Sequence, residues 1–133
     1  MSNTAKNGIH HVELWTSDLA ENISSWEWIF QILNFPAYQE WGEGKSWITP
    51  DGSYICLVES PTVTGHHDRR RAGMNHLALR VVGREVVDEI RENSATNGWQ
   101  ELYGERYPYA GGSDHYALYM ENAEGFKLEL VAI

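Results

Sequence analysis

One cysteine, four prolines and ten basic residues are all that this chain of 133 residues has of each. With Cys56 alone no intrachain disulfide can form, so burial and hydrogen bonding must hold the fold, and a reducing compartment is expected. Ten Lys and Arg stand against nineteen Asp and Glu, for a formal net charge of −9. That balance argues against a nucleic-acid partner, because phosphate binding begins with a basic surface. The one basic run, Arg69-Arg70-Arg71, has no aromatic residues interleaved and reads as a solvated linker. No apolar stretch approaches the length of a membrane span, and the mean hydropathy is −0.47. Met1 to Gly8 is polar and lacks the apolar core of a signal peptide, so a cytoplasmic protein with no membrane partner is expected.

What the chain does have is repetition. Met74-Asn75-His76-Leu77-Ala78-Leu79-Arg80-Val81-Val82 is its plainest strand, and Ile9-His10-His11-Val12-Glu13-Leu14-Trp15 echoes it. His76 follows His11 by 65 positions (76 less 11) in a chain of 133. The hydrophobic fraction of 42% suits one globular domain over residues 1–133. Within it we read two copies of one module, about 8–60 and 74–133, with 61–73 as connector.

Each half reads strand, helix, strand, strand, strand. Leu19, Ile23, Trp26, Phe30 and Leu33 recur at helical spacing after Asp18, which has Glu21 three residues on as in a capping box. Short strand-like runs follow at Ala37–Trp41, Ser46–Thr49 and Ser53–Glu59, with Gly42-Glu43-Gly44 and Pro50-Asp51-Gly52 as turns. In the second half a helix is expected from about Arg84 to Asn97, then strands at Trp99–Glu105, His115–Met120 and Phe126–Ala132. Tyr107 to Asp114, with Gly111-Gly112, is a loose loop of the kind that borders sites.

Side chains alternate across a strand, so each strand divides into two faces. Val12 and Leu14, then Leu77, Leu79 and Val81, then Leu128 and Leu130, make aliphatic faces for helices to cover. His11, Glu13 and Trp15 lie opposite the first set, His76, Ala78 and Arg80 opposite the second, and Glu129 opposite the third. Two histidines and one carboxylate on non-aliphatic faces make a potential metal site.

These features resemble the vicinal oxygen chelate superfamily, which includes glyoxalase I, the fosfomycin-modifying enzymes, extradiol dioxygenases and bleomycin-resistance proteins. The resemblance runs from Ile9 to Val131 and is sharpest at HHVELWTSDL, NHLALRV and EGFKLEL. It implies an α+β fold in which two tandem βαβββ modules form paired cup-shaped sheets. It also implies a homodimer, a small-molecule substrate, and one divalent ion (Fe, Mn, Ni or Zn) on His11, His76 and Glu129. Two imidazoles and a carboxylate leave adjacent coordination positions for a substrate that chelates through paired oxygens. Tyr119 falls where both the fosfomycin enzymes and the dioxygenases have a tyrosine near the metal, as a hydrogen-bond donor to substrate. Cys56 stands where glyoxalase has a fourth, glutamate ligand. Glu59 has the opposite parity and would return to the site only through a β-bulge. Glu13 replaces the small hydroxyl residue of the fosfomycin enzymes, and an inward carboxylate repels a phosphonate.

Other candidates come from position alone. Glu13 and Arg80 read either as an ordinary cross-strand ion pair or as acid–base and specificity residues. His115, after the Gly111-Gly112 loop, reads as a general base or as a solvated histidine. Trp15, Trp41 and Trp47 are candidates to line the cup, with Cys56 beside them. The function expected is a metal-dependent enzyme of the glyoxalase and dioxygenase type. The alternative is a metal-free protein that sequesters a cationic aromatic drug.

Overall fold

Residues 5–133 are described by a computed structural model. The polar opening from Met1 falls in part outside the described residues. The first module contains β1 (His11–Thr16), α1 (Leu19–Ile32), β2 (Ala37–Trp41), β3 (Gly44–Ile48) and β4 (Tyr54–Glu59). The second contains β5 (Leu77–Val81), α2 (Arg84–Asn93), β6 (Trp99–Leu102), β7 (Ala117–Asn122) and β8 (Lys127–Ala132). Asp18 caps α1, its carboxylate accepting from the Glu21 amide at 3.1 Å. The second helix ends at Asn93, short of the expected Asn97. The Ser94 hydroxyl turns back to the Arg91 carbonyl, a 3₁₀ turn follows at Ala95–Asn97, and Gly98 closes it in the left-handed region at φ 88°.

The modules repeat one topology. Their strand orders are β1-β4-β3-β2 and β5-β8-β7-β6, with β1–β4 and β5–β8 parallel and the remaining pairs antiparallel. This is the α+β arrangement of two βαβββ units expected from the repeat.

The aliphatic faces of both sheets enter a single core. Leu14, Ile55 and Leu57 pack with Trp26, Ile29 and Phe30 of α1, and Val81, Leu118, Met120, Leu128 and Leu130 with Val87 and Ile90 of α2. The halves meet where Trp26 stands edge-on to Trp99 at 5.1 Å and to Phe126 at 5.8 Å, and where the Trp99 indole donates to the Ser25 carbonyl at 2.9 Å. A polar clasp closes the seam. Glu124, 3% exposed, accepts from the Thr16 hydroxyl at 2.5 Å and from the Ser17 amide and hydroxyl at 2.9 Å each. Burying that carboxylate is tolerable because three donors replace the water it gives up.

Trp47, expected to line the cup, lies in this core instead. It pairs in register with Ile55, and cross-strand partners share a face, so it is buried at 4% exposure with its ring 4.9 Å from Phe30.

The loop between β6 and β7 is tied to α2. The hydroxyls of Tyr107 and Tyr116 both donate to Asp88 Oδ1 at 2.5 Å, and the guanidinium groups of Arg91 and Arg84 lie over the two rings at 4.1 and 4.7 Å. The two hydrogen bonds, that from Tyr107 foremost, hold the Asp88 carboxyl below its ordinary range.

Two outcomes are expected. Glu124→Ala strands three donors at the seam and should cost about 2–3 kcal/mol, read by urea unfolding with unchanged m-value. Asp88 has a folded pKa below its unfolded one, so the tether's contribution is complete above the ordinary aspartate value of about 3.9 and is lost as pH falls through the lower folded value. NMR shifts of residues 103–116 should therefore change in that acid range in the wild type, and show no such transition in Asp88→Asn.

Candidate functional site

Because the aliphatic faces turn inward, the other faces of both sheets point away from the shared core. On β8, Leu128 and Leu130 are fully buried in the core, which puts Lys127 and Glu129 on the far side. Tyr119 of β7 pairs in register with Glu129, and Ala78, two residues after His76, pairs with it from β5. Glu129 thus sits at the centre of the second sheet's outer face, 5% exposed.

Both of its oxygens are engaged. One lies 3.0 Å from His76 Nε2, and the other is hydrogen-bonded to His115 Nε2. The loop that brings His115 there needs glycine at 111, since a Cβ would collide with the Tyr119 hydroxyl and the His115 ring. Burial, then the charge of Glu129 and a hydrogen bond to it, push the Tyr119 phenol up to about 12. At neutral pH it is a donor.

Asn75 sets the state of His76. Its amide donates to the Arg69 carbonyl at 3.0 Å, so its Oδ1 is the atom that faces His76 Nδ1 at 2.7 Å. An amide oxygen only accepts, so Nδ1 carries a proton. In the neutral ring Nε2 is then a lone pair aimed at a carboxylate oxygen. Two acceptors 3.0 Å apart require a proton or another cation between them. Two ligand atoms each about 2.1 Å from one ion, at right angles, also stand about 3 Å apart. The donor set and the spacing both fit a divalent ion.

His11 is placed elsewhere. It lies on the outer face of the first sheet, stacked on Tyr54 at 4.8 Å with Nδ1 2.9 Å from that of His10. Glu13 and Trp15 share that exposed face, the indole donating to the Glu13 carboxylate at 2.6 Å. Cys56 pairs in register with Glu13, and burial followed by the charge of Glu13 pushes its thiol up, away from the reactive thiolate. Arg80 is exposed on the second sheet and makes no ion pair with Glu13 among the described residues; the two strands belong to different sheets. β4 runs in unbroken register with both neighbours, so no bulge turns Glu59 toward the site. Its carboxylate accepts from the Leu19 amide at the start of α1, at 2.9 Å.

The structure therefore brings together His76, Glu129, Tyr119 and His115, and sets His11, Glu13, Trp15 and Cys56 apart on the first sheet. Among the described residues no group of three His, Cys, Asp or Glu side chains is arranged to hold a metal ion. Asn75, Tyr103 and Lys127 border the Glu129 cluster and were not singled out from the sequence. For Lys127 the signal was present, since it has the same strand parity as Glu129.

Comparison with known proteins agrees with the fold. A family model described as the Glyoxalase/Bleomycin resistance protein/Dioxygenase superfamily matches residues 10–119. The uncharacterized protein YqjT of Bacillus subtilis (strain 168) is 37% identical over 126 residues, covering 93% of this chain and 98% of its own. The crystal structure of a putative glyoxalase from Bacillus halodurans superimposes with a TM-score of 0.87 at 37% identity, covering 94% of this chain and 95% of that one. The genomically encoded fosfomycin resistance protein FosX from Listeria monocytogenes, complexed with Mn(II) and sulfate ion, shares the fold. Its TM-score is 0.65 at 19% identity, with 97% of this chain and 94% of that one covered. By the extent of the family match and of the relatives at 37% identity, the chain belongs to the glyoxalase, bleomycin-resistance and dioxygenase superfamily.

Proposed function

We propose that this protein is a metal-dependent enzyme of the glyoxalase and dioxygenase type, acting on a small substrate that chelates through adjacent oxygens. The observation that carries this reading is the opposition of two acceptors, His76 Nε2 and Glu129, across 3.0 Å with the histidine tautomer set by Asn75. A buried carboxylate facing a half-exposed imidazole fixed in this way is matched to a cation. His76 and Glu129 would hold a divalent ion of Fe, Mn, Ni or Zn, and the Mn(II) bound by the FosX relative supports the class. When bound, such an ion acts as a Lewis acid on chelating oxygens.

The chain's own residues supply the rest. Tyr119, protonated at neutral pH, donates a hydrogen bond to oxygen that gains negative charge in the reaction. His115 donates from Nε2 to the Glu129 carboxylate, which leaves Nδ1 as the atom that would accept or return a substrate proton. The third ligand in this reading is His11 of a second copy. His11 lies on an outward face with Trp15, 48% exposed, and β2, at the far edge of the same sheet, exposes Tyr38 at 51% and Trp41 at 41%. That surface is the kind an identical partner covers. The same aromatic surface favours the alternative, a metal-free protein binding a cationic aromatic compound.

Metal analysis separates the two. The protein purified without chelator should carry about one divalent ion per chain, and His76→Ala with Glu129→Ala should carry none; wild-type protein that takes up no ion even on reconstitution would favour the binding protein. A mixing experiment tests the shared site. His11→Ala and Glu129→Gln each lack one ligand, so each alone should be inactive, whereas a mixed dimer holds one complete site and one doubly defective site. Mixing should restore metal binding and turnover to a fraction of the wild type; no recovery despite demonstrated subunit exchange would place all ligands within one chain.

A further inference from the structure

Beside Glu129 lies a cation with no counter-ion. Lys127 is only 8% exposed, yet no carboxylate among the described residues is within 4 Å of its ammonium group. Its one hydrogen bond goes to the Tyr103 hydroxyl, at 3.0 Å. The rings of Tyr103 and Tyr119 lie 5.0 and 5.3 Å from the ammonium, so the charge rests against two aromatic faces. Glu121, its partner in the strand register, is turned to Arg69 instead, at 3.2 Å. An ammonium carries three donors and Tyr103 takes one, so two remain. Desolvating a charge without pairing it is costly, so an anion that supplied the missing partner would be favoured here.

The surroundings favour an anion. The hydrogen bond from the Lys127 ammonium, with the charges of Lys127 and then Arg69, holds the Tyr103 phenol below its ordinary range. Arg69 in turn lines a cavity of about 610 Å³ together with Arg70, Arg71, His66 and Glu121. Arg70 and Arg71 share the single carboxylate of Asp68 at 3.5 and 3.6 Å and are 83% and 84% exposed. In a chain with a net charge of −9 this is where positive charge is concentrated.

We propose that Lys127, Tyr103 and Arg69 form a subsite for the carboxylate or phosphate group of a small organic acid, adjoining the Glu129 site. Lys127 supplies two donors, Tyr103 one from its hydroxyl, and Arg69 the guanidinium hydrogens that Glu121 leaves free. Same-face neighbours on a strand are about 7 Å apart, so the anionic group would lie that far from the oxygens engaged at Glu129. This deepens the proposed function by naming its substrate as an acid, and disfavours a cationic ligand at the second sheet.

The test leaves the metal out. Full-length protein, treated with chelator and dialysed, is titrated with inorganic phosphate and separately with acetate, following NMR shifts of the Tyr103 and Lys127 amides. Saturable binding is expected for one of the two, which identifies the group. It should weaken about tenfold in Lys127→Gln, as for loss of a charge-assisted hydrogen bond, and be largely kept in Lys127→Arg. Tyr103→Phe, which removes one oxygen and keeps the ring, should weaken it severalfold, and it decides the matter if Lys127→Gln does not fold. No saturable binding in the wild type, or affinity unchanged in the folded variants, overturns the subsite. Because metal uptake at His76 and Glu129 is measured separately, either site can fail without the other.

Discussion

Everything in this molecule follows from the two sheets burying their aliphatic faces in one core. Trp26, Trp99 and Phe126 fill the seam, and the buried Glu124 carboxylate fastens β1 and the start of α1 to the β7–β8 turn through Thr16 and Ser17. Once those faces turn inward, the other faces must turn outward. The two copies of a single module then carry their polar strand positions on surfaces that do not meet, and His11 lies apart from His76 and Glu129.

The second module's outer face is the more finished of the two. Its floor is Glu129 and Tyr119, its edge is His76, and its roof is the 103–116 loop, which Asp88 holds to α2 through two tyrosines and which Gly111 allows to pass close over Tyr119. The ring of His76 is fixed from behind by an amide whose own orientation is set by the connector's backbone at Arg69. A ligand set held in this way has little left to rearrange when a cation arrives. The first module's face, with His11 against Tyr54 and Glu13 bound to Trp15, has no such roof.

Much of this was legible in the chain. Alternation assigned the right face to His11, Glu13, His76, Glu129 and Cys56, because a strand with one buried side has only one register that works. The Asp18 cap was legible for another local reason, its spacing to Glu21. What alternation could not convey was pairing. Trp47 looked available to the cup until its register with Ile55 turned it into the core. Glu13 and Arg80, which read as a cross-strand pair, never face each other, because β1 and β5 are edges of separate sheets. The Asp88 tether joins residues 19 and 28 positions apart through side chains with no periodic signal. Lys127 is a different case, since its parity was plain and a lysine on an outer strand face is ordinarily solvated. Only its burial, made by Tyr103 and Tyr119, distinguishes it.

The most direct test of the account is anomalous diffraction from crystals of the protein loaded with Mn(II). The account predicts one ion bonded to His76 and Glu129 of one chain and to His11 of the partner subunit. An ion bonded only to residues of a single chain, or none at Glu129 under saturating metal, would contradict it.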